Sequence, residues 1–582
     1  MNSSLFYSLL QKKFPFQPTY KQDIFFQKIA IFLTEADNKT IFVLKGYAGT
    51  GKTTVISTIV NSLLDINKKY VLLAPTGRAA KVIANYSNKP AFTIHKKIYF
   101  PKKSSGGGVS FTLQQNKHTN TIFIVDEASM ISDTNSDSKL YENGSLLDDL
   151  ISYVYSGKNC KMILLGDTAQ LPPVNLDISP ALDIRTLGMN YDKEIEHIEL
   201  DEVMRQEENS GILHNATELR ELLKDSFISE FKFDVKKFKD IVRLTDGYDI
   251  QDAINSAYSN YSIEDTAFIV RSNKRANQYN EQIRAKILDK ESELSTGDFL
   301  MVVKNNYFWL KDSDEAGFIA NGDIIEILEI FNIKELYGFK FAKVKIRMID
   351  YPNQIPFETV LLMDTIKSES ASLTYEESNR LYQEVLKDYE GETKFKQFQK
   401  VKANEYFNGL QVKFSYAITC HKSQGGQWNT VFIEQPYLPD GINRDYIRWL
   451  YTAMTRAKNK LYLIGFKDEN FVEWFFNSHE LKLKIITVNS WIRGKKVLFM
   501  NTLNDLHKIS GTFSNTEKMP VLFLGHGNPM NAIEENQFVT GFRNLAKTLP
   551  QPNVILCISA HWFTKGTKVT TMEMPRTIHD FG

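Results

Sequence analysis

Short apolar runs recur along the first part of the chain, and each is followed by a polar or glycine-rich turn and then by a helix-like segment. Continuous apolar runs of this kind are typical of strands in a parallel sheet that is covered on both faces. The loops at the carboxyl ends of such strands are where the sheet binds ligands. The pattern therefore predicts an α/β fold. The runs are Thr40–Leu44, Tyr70–Ala74, Thr121–Val125 and Lys161–Leu165.

Two stretches depart from this pattern. A basic, polar stretch with three consecutive glycines predicts a small hairpin insertion at about residues 99–120. Short strands separated by turn residues predict a small β-barrel, and they cover residues 297–304, 321–328, 341–346 and 359–363. A predicted helical segment, residues 375–406, follows the barrel, and it becomes basic and aromatic from Lys394 to Lys402. Stacking on single-stranded nucleic acid and a solvated lysine face both explain that segment.

Composition adds bounds to this picture. At 582 residues the chain is long enough for several domains, and 42% hydrophobic and 24% charged residues are ordinary for a globular protein. Because the formal net charge is only +1, any nucleic-acid site depends on local basic patches. The three cysteines are far apart, no basic residue precedes the first apolar patch, and no apolar run approaches the ~20 residues of a membrane span. These features predict a soluble, cytoplasmic protein with no membrane partner.

One turn has the pattern of a phosphate-binding loop. The sequence GYAGTGKTT occupies positions 46–54, between the first apolar run and a helix-like segment. Its glycines allow backbone N–H groups to surround a polyphosphate at a helix N-terminus. Lys52 is expected to reach the β- and γ-phosphates, and the Thr53 hydroxyl to bind Mg²⁺. The pattern predicts a site for ATP and Mg²⁺ formed by Gly46, Ala48, Gly49, Thr50, Gly51, Lys52, Thr53 and Thr54.

Other polar residues extend this candidate site. Asp126 and Glu127 directly follow an apolar run downstream of the phosphate loop. Asp126 is expected to hold Mg²⁺, and Glu127 to orient and deprotonate the attacking water. A helix N-cap is an alternative for Asp126, but it does not account for both acids. Gln170, in the loop after the fourth run, is a candidate sensor of the γ-phosphate, and Arg205 is a candidate coupling residue.

Four further candidates lie in or near predicted loops. Gln22 precedes the phosphate loop, and its amide offers the donor and the acceptor that read an adenine edge; a solvated glutamine is the alternative. Thr76 and Arg78 follow the second apolar run and are expected to face a nucleic-acid phosphate backbone. His95 ends a predicted polar loop, Phe92–His95, where a structural role and a DNA contact are both open.

With these motifs in this order, the chain from about residue 15 to 470 resembles a superfamily 1B DNA helicase of the RecD/Dda type. Phe268–Asn273 resembles the opening of that family's second motor domain, Phe414–Gly425 its motif V, and Tyr451–Ala457 its motif VI. The resemblance implies an arginine finger at Arg456, for which a surface salt bridge is the alternative. It also implies DNA contacts from Thr419, His421, Ser423 and Gln424.

The resemblance implies an architecture and an activity. The implied architecture is two RecA-like motor domains, at 1–245 and at 246–295 with 412–480, and an SH3-like and helical insertion at 296–411. The implied activity is ATP-dependent unwinding, 5′ to 3′, by a monomer that acts on single-stranded DNA and duplex junctions. Nuclease or repair proteins are implied partners. A DNA-stimulated translocase subunit of a larger nuclease complex is an alternative.

The end of the chain has a different pattern. After a junction at 481–499, residues 500–582 show new α/β features, with His526 and His561 each at the end of an apolar strand, where metal ligands converge. This segment resembles the N-terminal part of LigB-type class III extradiol dioxygenases, the 4,5-DOPA branch, and both histidines match metal ligands of that family. Since the family's remaining ligand lies further along, we expect a truncated, catalytically silent fragment, fused to the motor by readthrough or frameshift. A metal-dependent dioxygenase is the third function class left open.

Overall fold

The computed structural model describes residues 1–472 except 36–38, 104–108, 134–143, 205–209, 226, 311–317 and 440. After residue 472 it describes residues 485–486, 499–500, 540, 544 and 547. The chain divides into two compact units, Met1–Val472 and Glu473–Gly582. The elements of the first unit, which carries almost every candidate site residue, are given first.

The first part of the chain alternates strands with helices. The strands are β1 (Thr40–Gly46), β2 (Lys69–Ala74), β3 (Ala91–Thr93), β4 (Tyr99–Lys103), β5 (Val109–Leu113), β6 (Thr121–Val125), β7 (Lys161–Gly166) and β8 (Glu194–Leu200). The helices are α1 (Ser3–Lys13), α2 (Tyr20–Thr34), α3 (Lys52–Val60), α4 (Gly77–Ser87), α5 (Ile94–Ile98), α6 (Leu146–Ser156), α7 (Ile184–Tyr191) and α8 (Gly211–Leu222). Six strands form one parallel sheet in the order β3-β2-β6-β7-β1-β8. The antiparallel hairpin β4–β5 lies where the sequence predicts a hairpin insertion.

Both faces of this sheet are covered, as the continuous apolar runs predict. Phe42 and Leu44 of β1 pack into one core with Phe25 of α2. Ile41 and Val43 of the same strand belong to a second core. Successive side chains of a strand point to opposite faces of the sheet, so a single apolar run contributes to both cores. The predicted α/β class with a parallel sheet is confirmed.

One predicted loop is regular structure instead. Phe92–His95 is not a polar loop, because it spans the end of the edge strand β3 and the start of α5. The Thr93 hydroxyl accepts a hydrogen bond from Lys96 N at 3.2 Å and so caps the helix. Ile94 and Ile98 are buried, which fixes the short helix against the sheet.

A second parallel sheet has five strands. They are β9 (Ile241–Leu244), β10 (Thr266–Val270), β16 (Ala417–Thr419), β17 (Trp428–Glu434) and β18 (Ala457–Ile464), in the order β16-β10-β17-β18-β9. The helices that accompany them are α9 (Gly247–Asn260), α10 (Asn273–Lys286), α14 (Cys420–Ser423) and α15 (Arg444–Met454). The structure therefore contains two parallel sheets, which agrees with the predicted pair of motor domains.

The chain enters the second sheet earlier than the sequence suggests. Strand β9 lies before the predicted boundary at residue 245, yet it pairs in parallel with β18, and Ile241 is the partner of Leu461. Ile241 and Leu244 are buried in the same core as the rest of the second sheet. The strand is too short for its periodicity to reveal which sheet it joins.

A closed five-stranded barrel interrupts the second sheet. Its strands are β11 (Phe299–Val302), β12 (Ile324–Leu336), β13 (Phe339–Met348), β14 (Phe357–Leu362) and β15 (Leu410–Phe414). The helices α11 (Asp364–Lys367), α12 (Tyr375–Lys387) and α13 (Lys394–Ala403) lie between its last two strands, so the predicted helical segment is two helices. The closing strand, β15, runs past the predicted boundary at 411, because Val412 and Phe414 are buried in the core as barrel residues.

The barrel and the second sheet are joined closely. Only Ser415 and Tyr416 separate β15 from β16. The Tyr416 hydroxyl donates to Asp298 Oδ1 at 2.9 Å, and Arg284 of α10 donates to Asp298 Oδ2 at 3.0 Å. One hydrophobic core continues from the sheet into the barrel. These two parts are therefore packed as one body.

The barrel also touches the first sheet's helix α4, through fewer contacts. Lys81 Nζ donates to Ile349 O at 3.1 Å and lies 3.5 Å from Asp350 Oδ1. A Cβ atom added at Gly77 would lie 2.5 Å from Asp323 Oδ1, so the two surfaces approach closely at that glycine.

In the second unit, two antiparallel strands are described, β19 (Ile485–Ile486) and β20 (Phe499–Met500). His526 and His561 lie outside the described residues. No helix in the described part of the chain is both long and apolar enough to cross a membrane.

Candidate active site

The predicted phosphate loop connects β1 to α3, at the carboxyl edge of the first sheet. Gly49 and Gly51 have φ angles of 75° and 79°, which glycine adopts without strain. A Cβ atom at Gly51 would also lie 2.7 Å from Gln22 Nε2, so a side chain is excluded there. Lys52 Nζ donates to the carbonyl oxygens of Gly46 and Tyr47, at 2.5 and 2.8 Å. The lysine ammonium therefore lies over the mouth of its own loop.

Gln22 is buried directly behind this loop. Its Nε2 donates to Thr50 O at 3.0 Å, and its Oε1 accepts from Thr19 N at 3.0 Å, which completes the cap of α2. Both ends of the amide therefore have partners within the protein, and a solvated glutamine is wrong for this position. Its reading of an adenine edge stays a prediction.

The two acids follow β6, next to the loop. Asp126 Oδ2 accepts from the Tyr86 hydroxyl at 2.7 Å, and Asp126 Oδ1 accepts from Glu127 N at 2.9 Å. Asp126 thus caps no helix N–H, and the turn that follows, Ala128–Met130, has no side-chain cap. Glu127 has a φ angle of +51°, a backbone conformation that is uncommon outside glycine and that clusters at functional sites.

Glu127 meets an arginine from the other side of the molecule. Arg456, which lies between α15 and β18, places Nη1 3.7 Å from Glu127 Oε1. Arg456 is only 3% exposed and also donates to Thr452 O at 3.0 Å and to Gly426 O at 3.3 Å. Burial, and then Asp126, raise the pKa of Glu127, while Arg456 and Lys52 oppose the increase. The ion pair is real, but it is buried between the two sheets and not on the surface.

Gln170 lies in the loop after β7, beside a cavity of about 130 Å³ that Lys45 and Arg448 also line. The Gln170 side chain is buried, and its Oε1 has no hydrogen-bond partner among the residues that the structure describes. A buried amide oxygen without a partner is costly, which suggests that a ligand or water satisfies it. The structure therefore leaves Gln170 available for the sensor role predicted for it.

Three side chains that sequence reasoning did not single out complete the connection between the sheets. The Tyr451 hydroxyl donates to Asp167 Oδ2 at 2.7 Å and accepts from Ala48 N of the phosphate loop at 3.0 Å. Thr452 Oγ1 accepts from Leu171 N at 2.8 Å. Asp167 directly follows β7, as Asp126 follows β6, and that position was the available signal. Nothing in the sequence indicated the tyrosine contact.

The residues predicted to contact DNA lie along the seam between the sheets. The Thr76 hydroxyl accepts from Ala79 N at 3.2 Å and caps α4, while the Arg78 guanidinium lies 4.5 Å from the centroid of the Trp428 ring. Gly425 (φ +72°) allows a close approach here, because a Cβ atom on it would lie 2.7 Å from Ala79 Cβ. Motif V thus packs directly against the loop after β2.

The four motif V candidates differ in exposure. His421 is exposed on α14 and Thr419 is half-buried at the end of β16. Ser423 and Gln424 are buried, and they donate to Cys420 O at 2.7 Å and to Leu171 O at 2.8 Å. The Gln424 side chain therefore joins motif V to the loop after β7, whereas Ser423 bonds within α14, and DNA contact from either stays a prediction.

Two other candidates remain to be placed. His95 is half-buried on α5, and burial lowers its pKa to about 4, so it is neutral at physiological pH. A neutral, half-buried imidazole favours the structural role over contact with phosphate. Arg205 lies outside the described residues.

Two protein families match the parts of the chain that form this site. The family described as "AAA domain" matches residues 27–176, and the family described as "UvrD-like helicase C-terminal domain" matches residues 414–464. The RecBCD enzyme subunit RecD of Buchnera aphidicola subsp. Schizaphis graminum is 22% identical over 76% of this chain and 73% of its own length. The ATP-dependent DNA helicase dda of Enterobacteria phage T4 is 23% identical over 74% of this chain and 95% of its own length. The chain is a superfamily 1 DNA helicase that hydrolyses ATP.

Two more comparisons were made, one with a solved structure and one with a protein that matches a short part of the helicase's sequence. A crystal structure of Pif1 helicase from Bacteroides, in complex with ADP-AlF3 and ssDNA, covers 79% of this chain and 95% of its own, with 16% identity and a TM-score of 0.39. The 4,5-DOPA dioxygenase extradiol of Escherichia coli is 56% identical over 68 residues. That match spans 12% of the helicase and 25% of the dioxygenase.

Proposed function

We propose that this helicase moves 5′ to 3′ on single-stranded DNA and that its ATP site is completed only when the two parallel sheets pack together. The buried pair between Glu127 and Arg456 carries the proposal, because it brings the predicted base from one sheet to the predicted finger from the other, 3.7 Å apart. The direction is supported by the resemblance to the RecD/Dda type and by the order of the motifs.

The phosphate loop supplies the ground-state binding. Backbone N–H groups of Gly49–Thr53 and the Lys52 ammonium would hold the polyphosphate, with Lys52 leaving the carbonyl oxygens of Gly46 and Tyr47. The residues at hand fit Mg²⁺, since the Thr53 hydroxyl and the Asp126 carboxylate are oxygen donors and Mg²⁺ needs only one or two carboxylates beside phosphate oxygens. When bound, Mg²⁺ neutralises charge on the β- and γ-oxygens.

Glu127 then acts as the general base. Its raised pKa makes its carboxylate a stronger base than an ordinary glutamate, which favours removal of a proton from the attacking water. Arg456 contributes charge opposite the γ-phosphate, where the transition state gathers negative charge. Gln170, with its unpaired Oε1, would report the γ-phosphate to the loop after β7.

DNA would lie across the seam between the sheets. Thr76, Arg78 and the exposed His421 supply the polar contacts on that seam, with Thr419 next to them. If hydrolysis separates Arg456 from Glu127, the start of α4 and motif V separate as well, because Gly425 packs on Ala79. If the two sheets bind the DNA strand tightly in alternation, each cycle of opening and closing moves the helicase along that strand.

The remaining assignments rest on less of the molecule. We place the enzyme in the cytoplasm, which the free, buried thiols of Cys160 and Cys420 support. We assign the motor to residues before about 480 and no ring cleavage to the segment like the dioxygenase, since the match spans 25% of that enzyme. Nuclease or repair proteins as partners, and service in a nuclease complex, follow from the RecD likeness alone.

A strand-displacement assay tests the direction. The purified helicase, ATP and Mg²⁺ are mixed with a duplex that carries either a 5′ or a 3′ single-stranded tail of equal length and composition. We expect unwinding of the 5′-tailed duplex only. Unwinding of the 3′-tailed duplex alone would reverse the proposed direction, and DNA-stimulated ATPase without unwinding of either would favour the translocase.

A further inference from the structure

A tyrosine hydroxyl connects the second sheet to the phosphate loop. Tyr451 lies near the C-terminal end of α15, and its side chain is almost fully buried, 1% exposed. Its hydroxyl oxygen accepts a hydrogen bond from Ala48 N at 3.0 Å, and its proton is donated to Asp167 Oδ2 at 2.7 Å. One side chain of the second sheet thus contacts two loops of the first.

The two contacts are made to separate loops of the site. Asp167 Oδ1 accepts from Ala169 N at 2.9 Å, so the Asp167 carboxylate sets the turn that leads to Gln170. Ala48 lies in the phosphate loop directly before Gly49, where the backbone donors proposed for the polyphosphate begin, and its own N–H donates to the tyrosine hydroxyl. The hydroxyl therefore fixes the backbone of the phosphate loop and the predicted sensor loop at once.

The same helix end carries Arg456. Thr452 Oγ1 accepts a hydrogen bond from Leu171 N at 2.8 Å, and Arg456 Nε donates to Thr452 O at 3.0 Å, so hydrogen bonds connect Arg456 to the end of the helix that carries Tyr451. When Tyr451 is in place on the phosphate loop, Arg456 is in place on Glu127. Loss of the Tyr451 hydroxyl removes the hydrogen bonds that hold this helix end to the phosphate loop and to Asp167. Arg456 itself is still present.

We propose that Tyr451 is a positioning residue for ATP hydrolysis: its hydroxyl couples the packing of the second sheet to the geometry of the phosphate loop and of the Asp167 turn. This inference rests on the proposed ATP site. It adds a residue to that site whose role is separate from binding ATP, because the hydroxyl contacts protein atoms on both sides.

The test is Tyr451→Phe in the full-length protein, with Tyr446→Phe as the matched control. Tyr446 lies on the same helix and is equally buried, but its hydroxyl pairs with Gln435, inside the second sheet. A hydrogen bond to a charged partner corresponds to about tenfold to hundredfold in rate. We expect Tyr451→Phe to lower the DNA-stimulated kcat by that factor while KM for ATP changes less than about threefold, and Tyr446→Phe to leave both within about twofold. Melting temperatures of both variants show whether either change reflects lost folding.

A double-mutant cycle with Asp167→Asn separates positioning from stability. The amide cannot accept from Ala169 N and from the tyrosine hydroxyl as the two carboxylate oxygens do. We expect the double variant to lose no more rate than the more damaged single variant, because both changes break one connection. Additive losses, unchanged kcat in Tyr451→Phe, or a rise in KM alone would overturn the proposal. If Tyr451→Phe does not fold, a normal kcat in Asp167→Asn overturns it as well. Absence of DNA-stimulated ATPase in the wild-type protein would instead remove the proposed function.

Discussion

The two parallel sheets share a topology but contribute to the site in different ways. The first sheet contributes loops at the carboxyl ends of its strands, with a left-handed backbone at Gly49 and Gly51 and the polar side chains of Lys52 and Glu127. In the described part of the chain, the second sheet contributes no glycine-rich loop to the phosphate site. It reaches the site with the side chains of one helix end, from Tyr451 to Arg456.

This difference separates binding from reaction. The first sheet holds the residues predicted to contact phosphate in the ground state, and the second holds Arg456, the predicted finger. Under the proposed function, nucleotide binding therefore depends mainly on the first sheet and hydrolysis depends on both. Such a division allows DNA, by bringing the sheets together, to control the rate without controlling affinity.

The largest expected effect comes from the second sheet. Arg456→Ala should lower kcat by about 10³-fold or more, the scale of an arginine finger, and leave ATP affinity within about threefold. Steady-state ATPase with saturating DNA, and binding of a fluorescent nucleotide, measure the two quantities. Arg444→Ala is the control, because Arg444 starts the same helix and, within the described ranges, donates to Leu223 O and Asp225 O and not to the site. If affinity falls and the rate at saturating ATP is normal, Arg456 binds the ground state and the division between the sheets is wrong.

A smaller loss is expected on the first sheet. Glu127→Gln removes the base and keeps the shape of the side chain, and general-base loss costs about 10²–10⁴-fold. ATP and DNA binding should persist, and the measurement is single-turnover hydrolysis. Glu196→Gln is the control on the same sheet, because the exposed Glu196 side chain forms an ion pair with Lys28 at the surface, away from the site. Near-normal turnover in Glu127→Gln would show that another residue is the general base.

The pH dependence sharpens the assignment of Glu127. A general base must be ionised, and burial and Asp126 raise the pKa of this carboxyl above its ordinary value. The rate therefore falls as pH decreases through a pKa above the ~4.3 of a free glutamate, by about tenfold for each further pH unit. In Arg456→Ala the pKa should rise further, because the arginine favours the charged form, and the acid limb should move to higher pH. A rate that is flat down to pH near 4 contradicts the assignment.

The smallest effect is expected from removing the end of the chain. Every described residue of the site lies within Met1–Val472, which forms a compact unit by itself. A variant that ends at Phe499 should keep DNA-stimulated kcat within about twofold of the full-length value. A larger loss of DNA-stimulated kcat would show that the residues after Phe499 contribute to ATP hydrolysis. Catechol cleavage by the full-length protein with Fe(II) or Zn²⁺, lost on His526→Ala, would make the chain bifunctional.

Much of the first sheet was predictable, because its chemistry is local in sequence. The strand, turn and helix around Lys52 and the two acids after β6 each lie within a few residues of the features that reveal them. The fold class followed for the same reason, since a continuous apolar run specifies burial on both faces. The hairpin at 99–120 was likewise indicated by local turn residues.

The rest depended on contacts between distant parts of the chain. The strand β9 is four residues long, and only its pairing with β18 shows which sheet it joins. Arg456 could be assigned a role from its motif, but its burial against Glu127 depends on how two domains pack. The hydroxyl of Tyr451 has no periodicity or spacing that reveals its partners, because both lie in loops of the other sheet.

The short connection between β15 and β16 has a mechanical consequence. Only Ser415 and Tyr416 lie between the two strands, so the barrel has little freedom to move relative to the second sheet. We expect the barrel and that sheet to rotate together. If the second sheet rotates away from the first, the barrel moves with it. That movement strains the hydrogen bond of Lys81 to Ile349 O and its ion pair with Asp350. The hydrogen bond and the ion pair of Lys81 are weak compared with a continuous core. We therefore expect the barrel to separate from α4 before the second sheet deforms.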